Sequence, residues 1–157
     1  MSQKETNTSP FRHQNKFKCP ALGVILLCFI GMCAPLLAVE AYKEIGNPGQ
    51  PIDLQPYIVE GRYTVFDFAS QYCPPCRQAT VEFKLLAQKY PNHYAFRRID
   101  INRRWFIGID WASPLAQQYS LQSIPHLIIY GPDKRFIAEG DAAEKWMADD
   151  LRRLQKE

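Results

Sequence analysis

Two cysteines separated by two prolines, Cys73-Pro74-Pro75-Cys76, stand where a β-patterned run gives way to a helix-patterned one. Cysteines at this spacing can close a small disulfide ring that thiol exchange opens again. At the first turn of a helix, the leading thiolate is stabilised by the helix dipole and by unpaired backbone N–H groups. Type and placement together point to a working thiol pair and not to a structural staple. Half of a zinc or iron–sulfur site is the competing use of such a pair. Beyond residue 41 there is no second cysteine pair, and the only histidines are His93 and His126. No metal or cofactor is therefore expected besides the cysteine pair itself.

The pair needs elements to hold it. Tyr63 to Ala69 is a β-rich run, apolar on both faces as a covered central strand would be. Arg77 to Tyr90 carries Ala79, Phe83, Leu86, Ala87 and Tyr90 at helical spacing, and Pro74 and Pro75 suit its start, where a missing N–H costs nothing. Tyr94 to Ile101 reads as a second central strand. Ser113-Pro114 opens a short helix through Tyr119, with Ser as cap and Pro at the first position. His126 to Tyr130 and Arg135 to Glu139 flank the turn Gly131-Pro132-Asp133-Lys134 as a hairpin. Asp141 with Glu144 predicts a capping box for a last helix, whose buried stripe is Ala143, Trp146 or Met147, Leu151 and Leu154. Before the first long strand, a short edge strand is expected near Lys43 to Ile45, and one or two helical turns within Asp53 to Glu60. This order predicts an α/β fold around one mixed sheet.

Charge and cysteine use bound the setting. Lys4, Arg12, Lys16 and Lys18 against Glu5 supply the whole formal charge of +3, so the rest of the chain is balanced. Arg97-Arg98 and Arg103-Arg104 are short pairs, not a nucleic-acid footprint, and no nucleic-acid partner is expected. Three segments follow: a basic polar leader at 1–18, an apolar segment at 19–41, and a folded domain at 42–157. Ala21 to Val39 holds no charge, and small residues stand at Ala38 and Ala41. The segment reads as a secretory signal, with an uncleaved membrane anchor or tether as the rival; cleavage is favoured. Either way the folded domain is exported, to the periplasm if the source is bacterial. Of the five cysteines, Cys19, Cys28 and Cys33 belong to or border the apolar segment, so the exported part keeps the single pair.

Several separated features resemble the thioredoxin superfamily, over roughly Tyr42 to the C-terminus. The run Phe66-Asp67-Phe68-Ala69-Ser70-Gln71-Tyr72-Cys73-Pro74-Pro75-Cys76 is similar to the thioredoxin active-site strand and turn. Ser123-Ile124-Pro125 before an apolar strand is similar to the family's cis-proline loop, and Gly140 to the glycine flanking its active site. The resemblance implies a thioredoxin fold, with Cys73 as the more exposed, nucleophilic thiol and Cys76 as the buried resolving thiol. Asp67 would relay a proton to or from Cys76, its pKa raised by burial, unless it faces solvent at the strand end. Arg98 falls where some thioredoxins carry a lysine near this carboxylate; it either points inward and holds Asp67 ionised, or stays a surface cation. Pro125 would follow a cis bond and, with Ile124, Tyr72 and Pro74, meet an extended substrate segment. His126 is given no catalytic role.

Two departures stand out. Ala69 and Tyr72 occupy positions where thioredoxins usually have tryptophans. About eight residues are inserted within Asn102 to Ala112, so that Trp105, Phe106 and Trp111 form either an aromatic partner-binding lip or a loop folded over its own core. The expected function is a thiol:disulfide oxidoreductase acting on protein disulfides, served by a membrane or soluble redox partner. A reductase is favoured over an oxidase, although potentials of such dithiols span about 150 mV, about 7 kcal/mol for two electrons. A copper metallochaperone using the two cysteines with His126, and an interaction module without redox turnover, are the rivals.

Overall fold

A computed structural model describes residues 41–156. The expectations for the leader and the apolar segment fall on residues 1–40, outside the described residues. Five strands form one sheet: β1 (Tyr42–Glu44), β2 (Tyr63–Ala69), β3 (Tyr94–Asp100), β4 (His126–Tyr130) and β5 (Phe136–Glu139), in the order β1-β3-β2-β4-β5. β1, β3 and β2 run parallel, while β4 and β5 are antiparallel to their neighbours, which makes the sheet mixed as expected. Among the described residues the sheet is joined by α1 (Pro74–Lys89), α2 (Pro114–Gln118) and α3 (Asp141–Leu154), with a 3-10 turn at Gln55–Tyr57. Among the described residues no helix is long and apolar enough to cross a membrane.

Period-two alternation along β2 divides the core. Phe66 and Phe68 point to one face, where they pack with Ile99, Ile101, Leu115 and Ile128. Val65 points to the other, where Phe83 and Ala87 of α1, Met147 of α3, Tyr94 and Phe96 gather. Asp67 shares parity with Val65 and therefore lies on the α1 face, between an apolar residue and the cysteines. A strand apolar on both faces with one carboxyl in its middle is not a pattern that burial alone would produce.

The last helix begins differently from the sequence expectation. Gly140, at φ 57°, is the N-cap, and Asp141 is already inside the helix with no side-chain cap bond, so the Asp141–Glu144 capping box does not form. Their carboxylates act instead as first-turn charges on the helix dipole. Trp146 is half-buried and Met147 buried, so the stripe contains both. Asp150 docks α3 onto β3: the Tyr94 hydroxyl donates to it at 2.5 Å and His93 Nε2 lies 2.7 Å away. The edge strand lies one residue earlier than predicted, and α1 starts at Pro74, with the two prolines at its first two positions as read from the sequence.

The α1–sheet contact is the one that carries the site. Phe96 is fully buried and stacked on Phe83 with ring centroids 4.9 Å apart. Phe96→Ala should cost about 3–5 kcal/mol in urea unfolding, while Leu85→Ala on the exposed side of α1 should stay within about 0.5 kcal/mol of wild type.

Candidate active site

β2 ends at Ala69, and the chain turns through Ser70 into α1. The turn is held by Ser70: its carbonyl accepts from Cys73 N–H at 3.2 Å and its hydroxyl from Tyr72 N–H at 3.1 Å. Cys73 is the N-cap of α1 in an extended conformation, with Pro74 and Pro75 at the first two helical positions. Those prolines bring no N–H, so Cys76 carries the first free donor of the helix. That N–H points at Cys73 Sγ, 3.2 Å away. A sulfur thus takes the place that a Ser or Asp oxygen holds in ordinary helix caps.

The two cysteines are joined as a disulfide, with Cα atoms 5.2 Å apart. Cys73 is 3% exposed and Cys76 fully buried. The expected order of exposure holds, but the difference is small because Ile109 and Ile124 pack over the pair together with Ala69. Tyr72 and Pro74 are exposed at the rim of the turn. The Ile124–Pro125 peptide is cis, as the resemblance implied, and Ile124 O lies 3.6 Å from Cys73 Sγ. The structure therefore brings Cys73, Cys76, Ile124, Pro125, Tyr72 and Pro74 to one end of the sheet.

Asp67 is 1% exposed, and neither carboxylate oxygen has a hydrogen-bond partner. Burial pushes its pKa up to about 7, against the pull of Arg98. The solvent-facing alternative is thus removed. Arg98 lies opposite Asp67 in the β2–β3 register, yet its Nη1 is engaged by Glu44 Oε1 at 3.5 Å. It is neither a free surface cation nor a direct ion-pair partner of Asp67, because no nitrogen of Arg98 comes within 4.0 Å of that carboxylate among the described pairs. Tyr42, on the same face, has its hydroxyl buried without a partner. Sequence reasoning missed Tyr42 and Glu44 because their parallel register with β3 is a tertiary fact; the single signal was the charge of Glu44 in a short strand.

His126 stands beside the loop but its Nε2 lies 2.9 Å from Glu139 Oε1, so the ring is committed to the β4–β5 hairpin. Gly140 takes φ 57°, a conformation that favours glycine, and a Cβ there would meet that ring in ordinary contact at 3.5 Å.

The inserted segment divides between the two expectations. Asp110 is buried and receives two bonds from the Arg103 guanidinium, at 2.6 and 2.9 Å, and Asn102 donates to Gly108 O. The bond from Arg103 holds the Asp110 carboxyl below the usual range. Gly49 lets the neighbouring loop approach: a Cβ there would meet Arg103 N at 2.6 Å, and its φ is 70°. With its base fixed, the loop buries Ile109 against the cysteines but leaves Trp105 74% and Ile107 86% exposed. Trp105 lies under the Arg103 guanidinium at 4.8 Å, Phe106 is half-buried, and Trp111 is partly exposed. Ile109, which sequence reasoning passed over, is the residue of this segment that touches the site.

Comparison with known proteins agrees with this geometry. Residues 54–153 match the thioredoxin family model. A thioredoxin-like protein of Fusarium culmorum is 26% identical over 95 residues, which are 59% of this chain and 72% of the relative. Thioredoxin H4 of Arabidopsis thaliana is 25% identical over 122 residues, 76% of this chain and 90% of the relative. A chain in the crystal structure of the ferredoxin:thioredoxin reductase and thioredoxin f2 complex shares the fold, with a TM-score of 0.51 at 20% identity. That alignment covers 74% of this chain and 98% of the other.

The buried carboxyl makes stability depend on pH in a definite direction. In the unfolded chain an Asp titrates near 3.9, whereas folded Asp67 titrates near 7. Between those values the native state binds the extra proton, so the contribution of Asp67 to stability falls as pH rises from about 4 to about 7 and is flat above. The stability of Asp67→Asn relative to wild type should therefore be higher at pH 8 than at pH 4 by up to about 4 kcal/mol, because the wild type loses the Asp67 contribution over that range, read by urea unfolding of both proteins at the two pH values.

Proposed function

The chain belongs to the thioredoxin family, and from that premise we propose that it is a protein-disulfide reductase working outside the cytoplasm. Membership, fold and the Cys73–Cys76 pair make it a thiol–disulfide oxidoreductase, and proteins of this family act on protein disulfides. The direction and the compartment are our reading.

The reaction runs through named atoms. The Cys73 thiolate attacks one sulfur of a substrate disulfide, forming a mixed disulfide and releasing the other sulfur as a thiolate, which takes a proton from solvent. Asp67 accepts the Cys76 proton. The Cys76 thiolate then attacks Cys73 Sγ, and the second substrate sulfur leaves as a thiolate and is protonated. Two electrons pass to the substrate, and the pair ends as the disulfide. Ile124, beside Cys73 and before the cis Pro125, offers its carbonyl to an extended substrate backbone. Tyr72 and Pro74 form the exposed rim that the substrate meets. A redox partner, membrane-borne or soluble, must return two electrons to the pair; the related structure of a thioredoxin f2 with its reductase is an example of such a pairing.

One observation favours reduction over donation of disulfides. With Pro74 and Pro75 at the helix start, the Cys73 sulfur receives a hydrogen bond from only one first-turn amide, that of Cys76. Strong oxidants of this chemistry owe their potential to a stabilised reduced form. A helix start stripped of two donors stabilises the thiolate less. A buried carboxyl titrating near neutral pH on the α1 face also suits the proton transfers of the reductive half-reaction. The copper-carrying alternative lacks a third ligand in place: His126 is held by Glu139, and among the described residues no group of three His, Cys, Asp or Glu side chains could hold a metal.

Export rests on the basic leader at 1–18 and the apolar segment at 19–41, which serves as a cleaved signal or a tether. In a bacterium the domain is periplasmic.

Cys76→Ser should accumulate mixed disulfides with exported proteins, resolved on non-reducing gels, and Cys73→Ser should accumulate none. Traps confined to cytoplasmic proteins would overturn the compartment. The reduction potential of the pair should lie near the thioredoxin value of about −270 mV; a value near −120 mV would make the protein a disulfide donor.

A further inference from the structure

Three adjacent strands set Glu44, Arg98 and Asp67 in one row. Glu44 is opposite Arg98 in the β1–β3 register, and Asp67 is opposite Arg98 in the β2–β3 register. Residues in register across parallel strands share a face, so all three side chains rise on the α1 side of the sheet. Exposure is graded along the row: the Glu44 side chain is 66% exposed, that of Arg98 12%, and Asp67 is buried. Both oxygens of Asp67, Nε of Arg98 and the hydroxyl of Tyr42 are the buried side-chain polar atoms without a hydrogen-bond partner among the described residues. All four belong to this row or to the residue two before Glu44 on the same strand. Orphaned groups of this kind are rare in folded proteins, and a cluster of them calls for a role.

One guanidinium stands between two carboxyl groups, and it is Glu44 that holds it, at 3.5 Å. We propose that Glu44 is a positioning residue for the thiol–disulfide reaction: by holding the Arg98 guanidinium at the rim of the sheet, it keeps that cation from closing on Asp67 and so leaves Asp67 free to take and return the Cys76 proton. The proposal rests on the reading of Asp67 as the proton relay. Arg98 from β3 and Tyr42 and Glu44 from β1 share the face of Asp67, with Thr80 of α1 beside the Tyr42 hydroxyl, whereas β4 places Leu127 opposite Asp67. Arg77 and Asp100 lie further out, lining with Glu44, Gln71, Thr80 and Arg98 an open cavity of about 380 Å³. That cavity gives the rim end of the row a path to solvent. The high titration point of Asp67, with Arg98 countering burial only in part, agrees with a cation engaged elsewhere.

The test compares Glu44→Gln, Arg98→Met, their double variant and Asp67→Asn in the full chain. Two quantities are followed from pH 5 to 9: the carbon-13 shift of the Asp67 carboxyl in the reduced protein, and the rate of resolution of a mixed disulfide by Cys76. Glu44→Gln should move both midpoints to lower pH by about one unit, as an opposite charge does on closing to a carboxyl. Arg98→Met should move them to higher pH, and adding Glu44→Gln to Arg98→Met should then change nothing. A Glu44→Gln profile superposable on wild type overturns the proposal. So does an equal shift in the Arg98→Met background, which would make Glu44 act through space and not through Arg98. If Asp67→Asn leaves the rate profile unflattened, the relay reading itself fails and this inference with it; a flattened Asp67→Asn profile beside an unmoved Glu44→Gln profile overturns the inference alone.

Discussion

The parallel pairing of β2 with β3 fixes where everything else in the molecule stands. Its register runs from Tyr63 opposite Tyr94 to Ala69 opposite Asp100, and Ile101 N–H continues it by donating to Ala69 O at 3.0 Å. Both chains therefore leave the sheet at the same end. One becomes the Cys73–Cys76 turn and the other becomes the pinned loop that lays Ile109 on the cysteines. The same pairing sorts Phe66 and Phe68 to one core and Val65 and Asp67 to the other. Antiparallel β4 then returns on the other side of β2 and delivers Ile124 and Pro125 to the sulfurs. The active-site residues lie within β2, at the start of α1 or in the loop that enters β4, so the geometry of the site is inherited from backbone hydrogen bonds.

Burying a carboxyl in the central strand costs stability at neutral pH, and among the described residues that cost is met at Asp67. Elsewhere buried acids are satisfied: Asp110 by Arg103, and Asp150 by Tyr94 and His93. Among the buried acids of the described residues, Asp67 alone has no hydrogen-bond partner. The contrast separates structural acids, which are held ionised by donors, from a chemical one, whose proton must be able to come and go.

Much of this was legible in the chain. Continuous apolarity marked β2 and β3, helical spacing marked α1, and Ser113-Pro114 marked α2, whose cap bond forms as read, from Ala116 N–H to Ser113 Oγ. Such features are local, and local hydrogen bonding and periodicity decide them. The proline loop and Asp67 were legible only through resemblance, since no spacing rule assigns a cis bond or a role. What stayed hidden depends on partners distant in sequence. Glu44 reaches Arg98 through a three-residue parallel strand whose register leaves no trace in composition. Asp141 read as a cap because Gly140, able to take φ 57°, displaced it by one residue. The aromatic insertion could not be resolved because burial of Ile109 and exposure of Trp105 are set by the Arg103–Asp110 clamp. That clamp joins residues seven apart with no periodic pattern between them.

The clamp has a thermodynamic reach beyond the loop it closes. A surface segment that is ordered only on meeting a partner must give up its chain entropy at that moment, and the association is weaker for it. Here the segment from Asn102 to Asp110 has surrendered that freedom during folding, held at its base by the bidentate ion pair, by the Asn102 side chain and by the close approach of Gly49. Trp105 and Ile107 are consequently presented as a preformed relief. A contact made with them is spared the cost of ordering the loop.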